Sequence, residues 1–324
     1  MARLFISKSL RRKLPRYPLA NRLSWAVEAA PAAAFWGLST ALGLDRGSAL
    51  GGYLGERIGP RLRKHAHVVD NLRTVLPDLD EAGLQAMATK VWHEFGRAVA
   101  EQPHLEQICR DPGAGGRIEV VYASDEAAAA VQNPPVILVS AHLANWQIAA
   151  GVPPRVGLPF SVVFSPPSNP YIGGLLYRSR KALRCGLIDL ATGAREVMRA
   201  LQGGTSVGML IDQRFDGGEL VDFFGRPAPT ATVPARLALK AGVPLLPARP
   251  ERLDGTKFRL TVYSPIRPND ALASDREKAL QMTRQVNALF EKWIRERPEQ
   301  WLCPKRRWPK ENRMDAGTLS MAAA

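Results

Sequence analysis

The sequence predicts an α/β fold, a sheet covered by helices, with a helical portion ahead of it. Three observations carry this reading. From about residue 118, short apolar runs alternate with helical stretches, the grammar of a sheet wrapped by helices. Residues 19–110 instead show only helical periodicity. The 324 residues, 46% hydrophobic and 23% charged, supply core enough for one large domain or two smaller ones.

The elements follow in order. "AAPAAAFWGLSTALGL" (29–44) is sixteen residues without a charge, preceded by Lys8, Arg11, Arg12, Lys13, Arg16 and Arg22. As a helix it reaches about 24 Å, short of the ~30 Å hydrocarbon core, and Pro31, Gly37 and Gly43 weaken it further. It reads as an ordinary core helix, a poor signal peptide, or a helix lying in a membrane interface. The basic flank, with Trp25 and Trp36, favours the interface. In "DEAGLQAMATKVWHEFGRAVAEQPHLEQI", Leu84, Met87, Val91 and Phe95 recur at helical spacing. Strands are expected in "RIEVVYA", "PVILVSA", "FSVVFSP", "TSVGMLID", "VPLLPARPERL" and "KFRLTVYSP", with helices between them. A capping box, Ser274 with Glu277, opens a last helix running to about Arg297. The partition is 1–110 helical and membrane-associating, 111–310 α/β core, and 311–324 a disordered tail.

Net charge of +14 implies an anionic partner. Nucleic acid is excluded: there is no RNP-like aromatic pattern, zinc spacing or helix-turn-helix signature. Cys109, Cys185 and Cys303 lie far apart with no CxxC pair, which fits a reducing compartment and predicts neither disulfide framework nor metal site.

The chemistry gathers at strand ends, where open α/β sheets bind ligands. His142 ends "PPVILVSAH", a buried strand entering a helix. A histidine there can take a proton from a hydroxyl and return it to a leaving group, or be a satisfied structural residue. "SVGMLIDQRFDGG" brings Asp212, Gln213 and Arg214 to a second strand end, beside the same cleft or in a solvated loop. "DFFGRPAPTATVP" reads as a tight loop before a helix. Its Phe223 and Phe224 would touch an acyl chain or membrane if exposed, and only pack if buried.

Six segments together carry a resemblance: "VVDNLRTVLPDLDEAG", "FGRAVAEQPHL", "SAHLANWQIA", "SNPYIGGLLYRSR", "GMLIDQRFDGGELVDFFGRPAPTATVPARLAL" and "RPEQWLCPKRRW". From about 15 to 310 the sequence resembles the lipid A biosynthesis acyltransferases. These are lauroyl and myristoyl transferases acting on Kdo-lipid IVA, with phosphatidylinositol mannoside acyltransferase relatives. The resemblance implies a glycerolipid-acyltransferase-like fold and an acyl carrier protein or CoA thioester as donor. It also implies a glycolipid acceptor and the cytoplasmic face of the bacterial inner membrane. No cofactor is expected, because the thioester is a substrate.

Carried over, His142 matches the histidine of the family's Hxxxx(D/E) motif, the base that activates the acceptor hydroxyl. Asp212 and Arg214 fall in a "DQD"-like segment. Arg178 and Arg180 are expected near phosphates, and Asn145, Trp146, Phe223 and Phe224 near substrate. Ser165 stands where the family often has an arginine. The main departure is Gln147, which occupies the place of the motif's acid. Three explanations stand: a slow natural variant, a neighbouring carboxylate such as Asp212 substituting, or an inactivating change. If the acid is missing, the chain is a weak or inert lipid-binding relative, and Gln147→Glu is expected to raise activity.

Overall fold

The computed structural model describes residues 18–113, 115–191 and 193–309. The basic residues 8–16 and the tail 311–324 lie outside them. Among the described residues, five helices come first: α1 (Pro18–Leu42), α2 (Leu44–Ile58), α3 (His65–Val75), α4 (Glu81–Ala100) and the short α5 (Leu105–Cys109). The uncharged stretch occupies much of α1, with Pro31 inside it, and Gly43 breaks the helix at φ 77°. No helix among the described residues is long and apolar enough to cross a membrane.

Helices α2 and α4 meet backbone to backbone, because glycine lines their contact. A Cβ placed on Gly55 would stand 2.2 Å from the Trp92 carbonyl oxygen, and one on Gly96 2.0 Å from that of Gly51. Any side chain there must push the helices apart. Gly55→Ala is therefore expected to destabilise by about 1–3 kcal/mol, outweighing the ~1 kcal/mol that alanine gains in helix propensity. Chemical denaturation checks this: an unchanged or raised midpoint would show that the helices separate freely.

The chain then alternates: β1 (Ile118–Tyr122), α6 (Asp125–Gln132), β2 (Ile137–Ser140), α7 (Ile148–Gly151), β3 (Phe160–Phe164), α8 (Pro170–Lys181), β4 (Gly186–Asp189), α9 (Gly193–Gln202) and β5 (Ser206–Leu210). After these come β6 (Glu219–Phe223), β7 (Arg226–Thr230), α10 (Val233–Ala241), β8 (Leu245–Asp254), β9 (Lys257–Val262) and α11 (Asp275–Glu296). The predicted capping box of Ser274 and Glu277 opens α11.

Seven strands form a sheet in the order β1-β9-β8-β2-β5-β3-β4. The run from β8 to β4 is parallel; β9 turns back against β8, and β1 lies parallel to β9. Strand β2 is covered on both faces. Ile137 and Val139 enter one apolar core, Val136 and Leu138 the other. This double burial is why its sequence is an unbroken apolar run rather than an alternating one. Its carboxyl end therefore emerges from the middle of the molecule.

Two elements differ from the expectation. β4 is a short edge strand that the sequence reading absorbed into its neighbours. The supposed loop around Phe223 and Phe224 is a separate hairpin, β6 against β7, turning through Phe224 (φ 55°) and Gly225 (φ 70°). Two consecutive left-handed residues make the tight turn whose twist suits a hairpin. Pro227 and Pro229 are accommodated in β7 because a two-stranded ribbon has an unpaired outer edge.

Candidate active site

The register of β2 and β5 builds the site. Ser140 stands opposite Leu210, and the Ile211 N–H donates to the Ser140 carbonyl at 3.1 Å. Two residues past that pair on each chain stand His142 and Asp212, so parallel pairing itself delivers them side by side. His142 Nδ1 lies 2.7 Å from Asp212 Oδ1. An ionised carboxylate only accepts, so Nδ1 carries a proton, and in the neutral ring the lone pair is then on Nε2. The imidazole side chain is 20% exposed while that of Asp212 is fully buried. Solvent and substrate can reach the ring but not its partner.

Burial pushes the Asp212 carboxyl up, but the His142 charge and ring N–H and the Trp301 indole outweigh it, so its pKa falls below the ordinary carboxylate value. Asp212 thus stabilises the fold above the unperturbed carboxylate pKa. That contribution is lost as pH falls through the lowered native value. Trp301 Nε1–H donates to Asp212 Oδ2 at 2.9 Å.

The loop after His142 is held just as firmly. Ala144 adopts φ 48°, and its N–H donates to the Gln300 carbonyl at 2.9 Å. The Leu302 N–H donates to the His142 carbonyl at 2.7 Å. Asn145 Nδ2 donates to Glu101 Oε2 at 2.9 Å. Glu101 is itself clasped by Arg252, whose guanidinium reaches its two oxygens at 2.7 and 3.0 Å and Glu94 at 2.7 Å. Burial lowers the Arg252 pKa, but the two carboxylates more than reverse it and the net shift is upward. The Trp146 ring lies 5.3 Å from the imidazole and walls one side of the cleft.

The profile of the bacterial lipid A biosynthesis acyltransferases matches residues 22–310. The chain belongs to this acyltransferase family. No curated protein matches it. Among solved structures, it is similar to the 1-acyl-sn-glycerophosphate acyltransferase PlsC from Thermotoga maritima. Identity there is 15% and the TM-score 0.33, over 77% of this chain and 95% of that one.

In this lipid A acyltransferase family member, Gln147 is not the partner of His142; of the three explanations, the geometry is that of the neighbouring carboxylate, Asp212. The left-handed turn at Ala144 carries Gln147 away from the ring, and its Nε2 donates to Gln102 Oε1 at 3.3 Å. Asp212 holds the imidazole instead. Gln147→Glu is therefore expected to bring no gain in activity. It removes the donor to Gln102 and buries a carboxylate without a cation, costing about 1–3 kcal/mol. Steady-state acyl transfer and thermal unfolding of the variant check both parts. A tenfold rise in turnover would return the acid's role to position 147.

Several of the other expected residues have partners within the fold. Asn145 is fully buried on Glu101. Phe223 is likewise fully buried and Phe224 nearly so. Their rings meet each other and Trp308 as the apolar side of the hairpin, and Glu291 accepts from the Phe224 N–H at 2.7 Å. Phe223 therefore only packs, while Phe224 keeps an edge in a surface pocket that it lines with Arg226 and Trp308. Arg180 lies over the Phe164 ring at 5.2 Å, burial lowers its pKa, and Arg178 is exposed. Neither hydrogen-bonds His142 or Asp212. Arg214 stands two residues beyond Asp212 and pairs with Asp216. Sequence reasoning missed Glu101, Arg252 and Trp301 as supports of the site. Glu101 and Trp301 lie inside segments that carried the resemblance, but nothing in either segment points to the other.

Proposed function

We propose that the chain transfers a fatty acyl group from a thioester, carried by acyl carrier protein or CoA, to a hydroxyl of a membrane glycolipid of the lipid A precursor type. One observation supports this most: a partly exposed histidine whose Nδ1–H is fixed on a buried carboxylate, leaving Nε2 open at a strand end. His142 Nε2 takes the acceptor hydroxyl proton as the oxygen attacks the thioester carbonyl. Asp212 stabilises the imidazolium that forms. The C–O bond closes, the C–S bond breaks, and the imidazolium returns the proton to the leaving thiolate. The motive for an inert relative was a missing carboxylate, and Asp212 supplies one.

The acceptor arrives from a membrane surface in this reading, on the cytoplasmic face of the bacterial inner membrane. Exposed Leu19, Leu23, Val27, Leu38 and Leu42 fall within an arc of about 140° on α1 at 3.6 residues per turn. Asn169, which caps α8 at the carboxyl end of β3, donates to the Trp25 carbonyl at 2.9 Å. That bond ties α1 to the edge of the sheet where His142 stands.

The test is incubation with Kdo-lipid IVA in anionic vesicles plus acyl carrier or CoA thioesters, read by mass spectrometry. A gain of one acyl chain, lost in His142→Ala, is expected. Absence of any acylated lipid with every thioester would overturn the reading. Leu23→Glu with Val27→Glu should reduce co-sedimentation with those vesicles.

A further inference from the structure

We propose that Trp301 is a positioning residue for acyl transfer. Its indole N–H, held on Asp212 Oδ2, keeps Oδ1 aimed at His142 and the imidazole in the tautomer whose Nε2 is unprotonated. The proposal rests on His142 being the base. A carboxylate held through one oxygen alone can rotate about its last torsion, which is broad for aspartate. The second bond, 2.9 Å from Trp301 Nε1 to Oδ2, fixes that rotation while Oδ1 stays 2.7 Å from His142 Nδ1.

Trp301 is suited to this by its own rigidity. It is almost fully buried, its ring meets Phe223, and its main chain bridges to Leu143. Its two neighbours hold the histidine loop from the main chain: Gln300 accepts from the Ala144 N–H, and Leu302 donates to the His142 carbonyl. One three-residue segment therefore grips both strand ends, the carboxylate by its side chain and the histidine loop by its backbone. An indole N–H only donates, so it selects the ionised carboxylate as its partner.

The test replaces Trp301 with β-(3-benzothienyl)alanine, which keeps the ring's shape and lacks the N–H, and alongside it uses Trp301→Phe. The expected result is a fall in kcat of about 10- to 100-fold, the size of one hydrogen bond to a charged group, with KM for the lipid acceptor little changed. The downfield proton resonance of His142 Nδ1–H should shift or broaden. In an Asp212→Asn background the same replacement should cause no further fall in kcat, since the residue acts through that carboxylate. Parental kcat and an unmoved resonance in the benzothienyl variant would overturn the proposal. So would an equal loss of kcat in the Asp212→Asn background, which would mark a packing role. A resonance that moves as expected in a protein that acylates no lipid would sink the acyl-transfer reading and leave the positioning intact.

Discussion

Asp212→Asn is expected to lower acyl transfer by about 10³-fold while leaving the chain folded. The carboxylate accepts from two donors at once, His142 through Oδ1 and Trp301 through Oδ2. An asparagine has one acceptor to offer them. With its oxygen on Trp301, its NH₂ faces Nδ1 and forces the proton onto Nε2, which can no longer act as base. With its oxygen on His142, its NH₂ opposes the indole N–H. Either arrangement breaks one bond, and the buried position admits no water to mend it. The magnitude follows the range for general acid–base groups and the wrong-tautomer effect known from serine-protease triads. Single-turnover transfer in Asp212→Asn, His142→Ala and the double variant measures it. The double variant should be no slower than His142→Ala, because the two residues act as a unit. Transfer within tenfold of the parent in Asp212→Asn would remove the carboxylate from the reaction.

Arg252→Ala is expected to destabilise the protein by about 3–5 kcal/mol, the cost of stranding buried charges. Arg252 is the cation for both Glu101 and Glu94, and Glu101 has no solvent exposure at all. Ser48 Oγ and Asn145 Nδ2 also donate to Glu101, so hydroxyl and amide remain when the guanidinium goes, but neither carries charge. Glu101→Gln together with Arg252→Met should recover part of the loss, since the Arg252 and Glu101 charges then leave together and only Glu94 is left without its cation. Equilibrium unfolding of the two single variants and the double gives the coupling. A loss below about 1 kcal/mol for Arg252→Ala would show that water or another cation reaches Glu101. Because Asn145 sits in the His142 loop, partial activity at low temperature should fall further than the folded fraction does.

Much of this architecture is legible in the sequence, and the reasons for the exceptions are physical. The apolar run of β2, the 3.6-residue rhythm of α4 and the capping box of α11 are local patterns, and each appears where expected. His142 at a buried strand's end is legible for the same reason. The pairing of β2 with β5 is not local, so the sequence shows two polar strand ends without saying that they adjoin. Once Ser140 and Leu210 are opposed, the histidine and its acid follow by counting two residues on each chain. Gln147 misled because the motif that the sequence resembles puts its acid five residues after the histidine. The chain instead turns through left-handed Ala144 before α7 begins at Ile148. The hairpin of β6 and β7 is not local either, being held by burial of Val221, Phe223 and Ala228 and by Asn287 and Arg307 donating to its carbonyls.

The clasp of residues 300–302 on the His142 loop also sets an order of events in folding. The bond from Leu302 to His142 closes a loop of 160 residues, the difference between the two positions. The helical pairs and neighbouring strands enclosed by that loop can form while it is still open, since they need much shorter closures. In a refolding chain, secondary structure should therefore recover ahead of catalytic competence, and fragments stopping near residue 295 would hold a sheet with a histidine that nothing yet aims. Quality control by activity would see such chains as empty, although circular dichroism would count them as nearly whole.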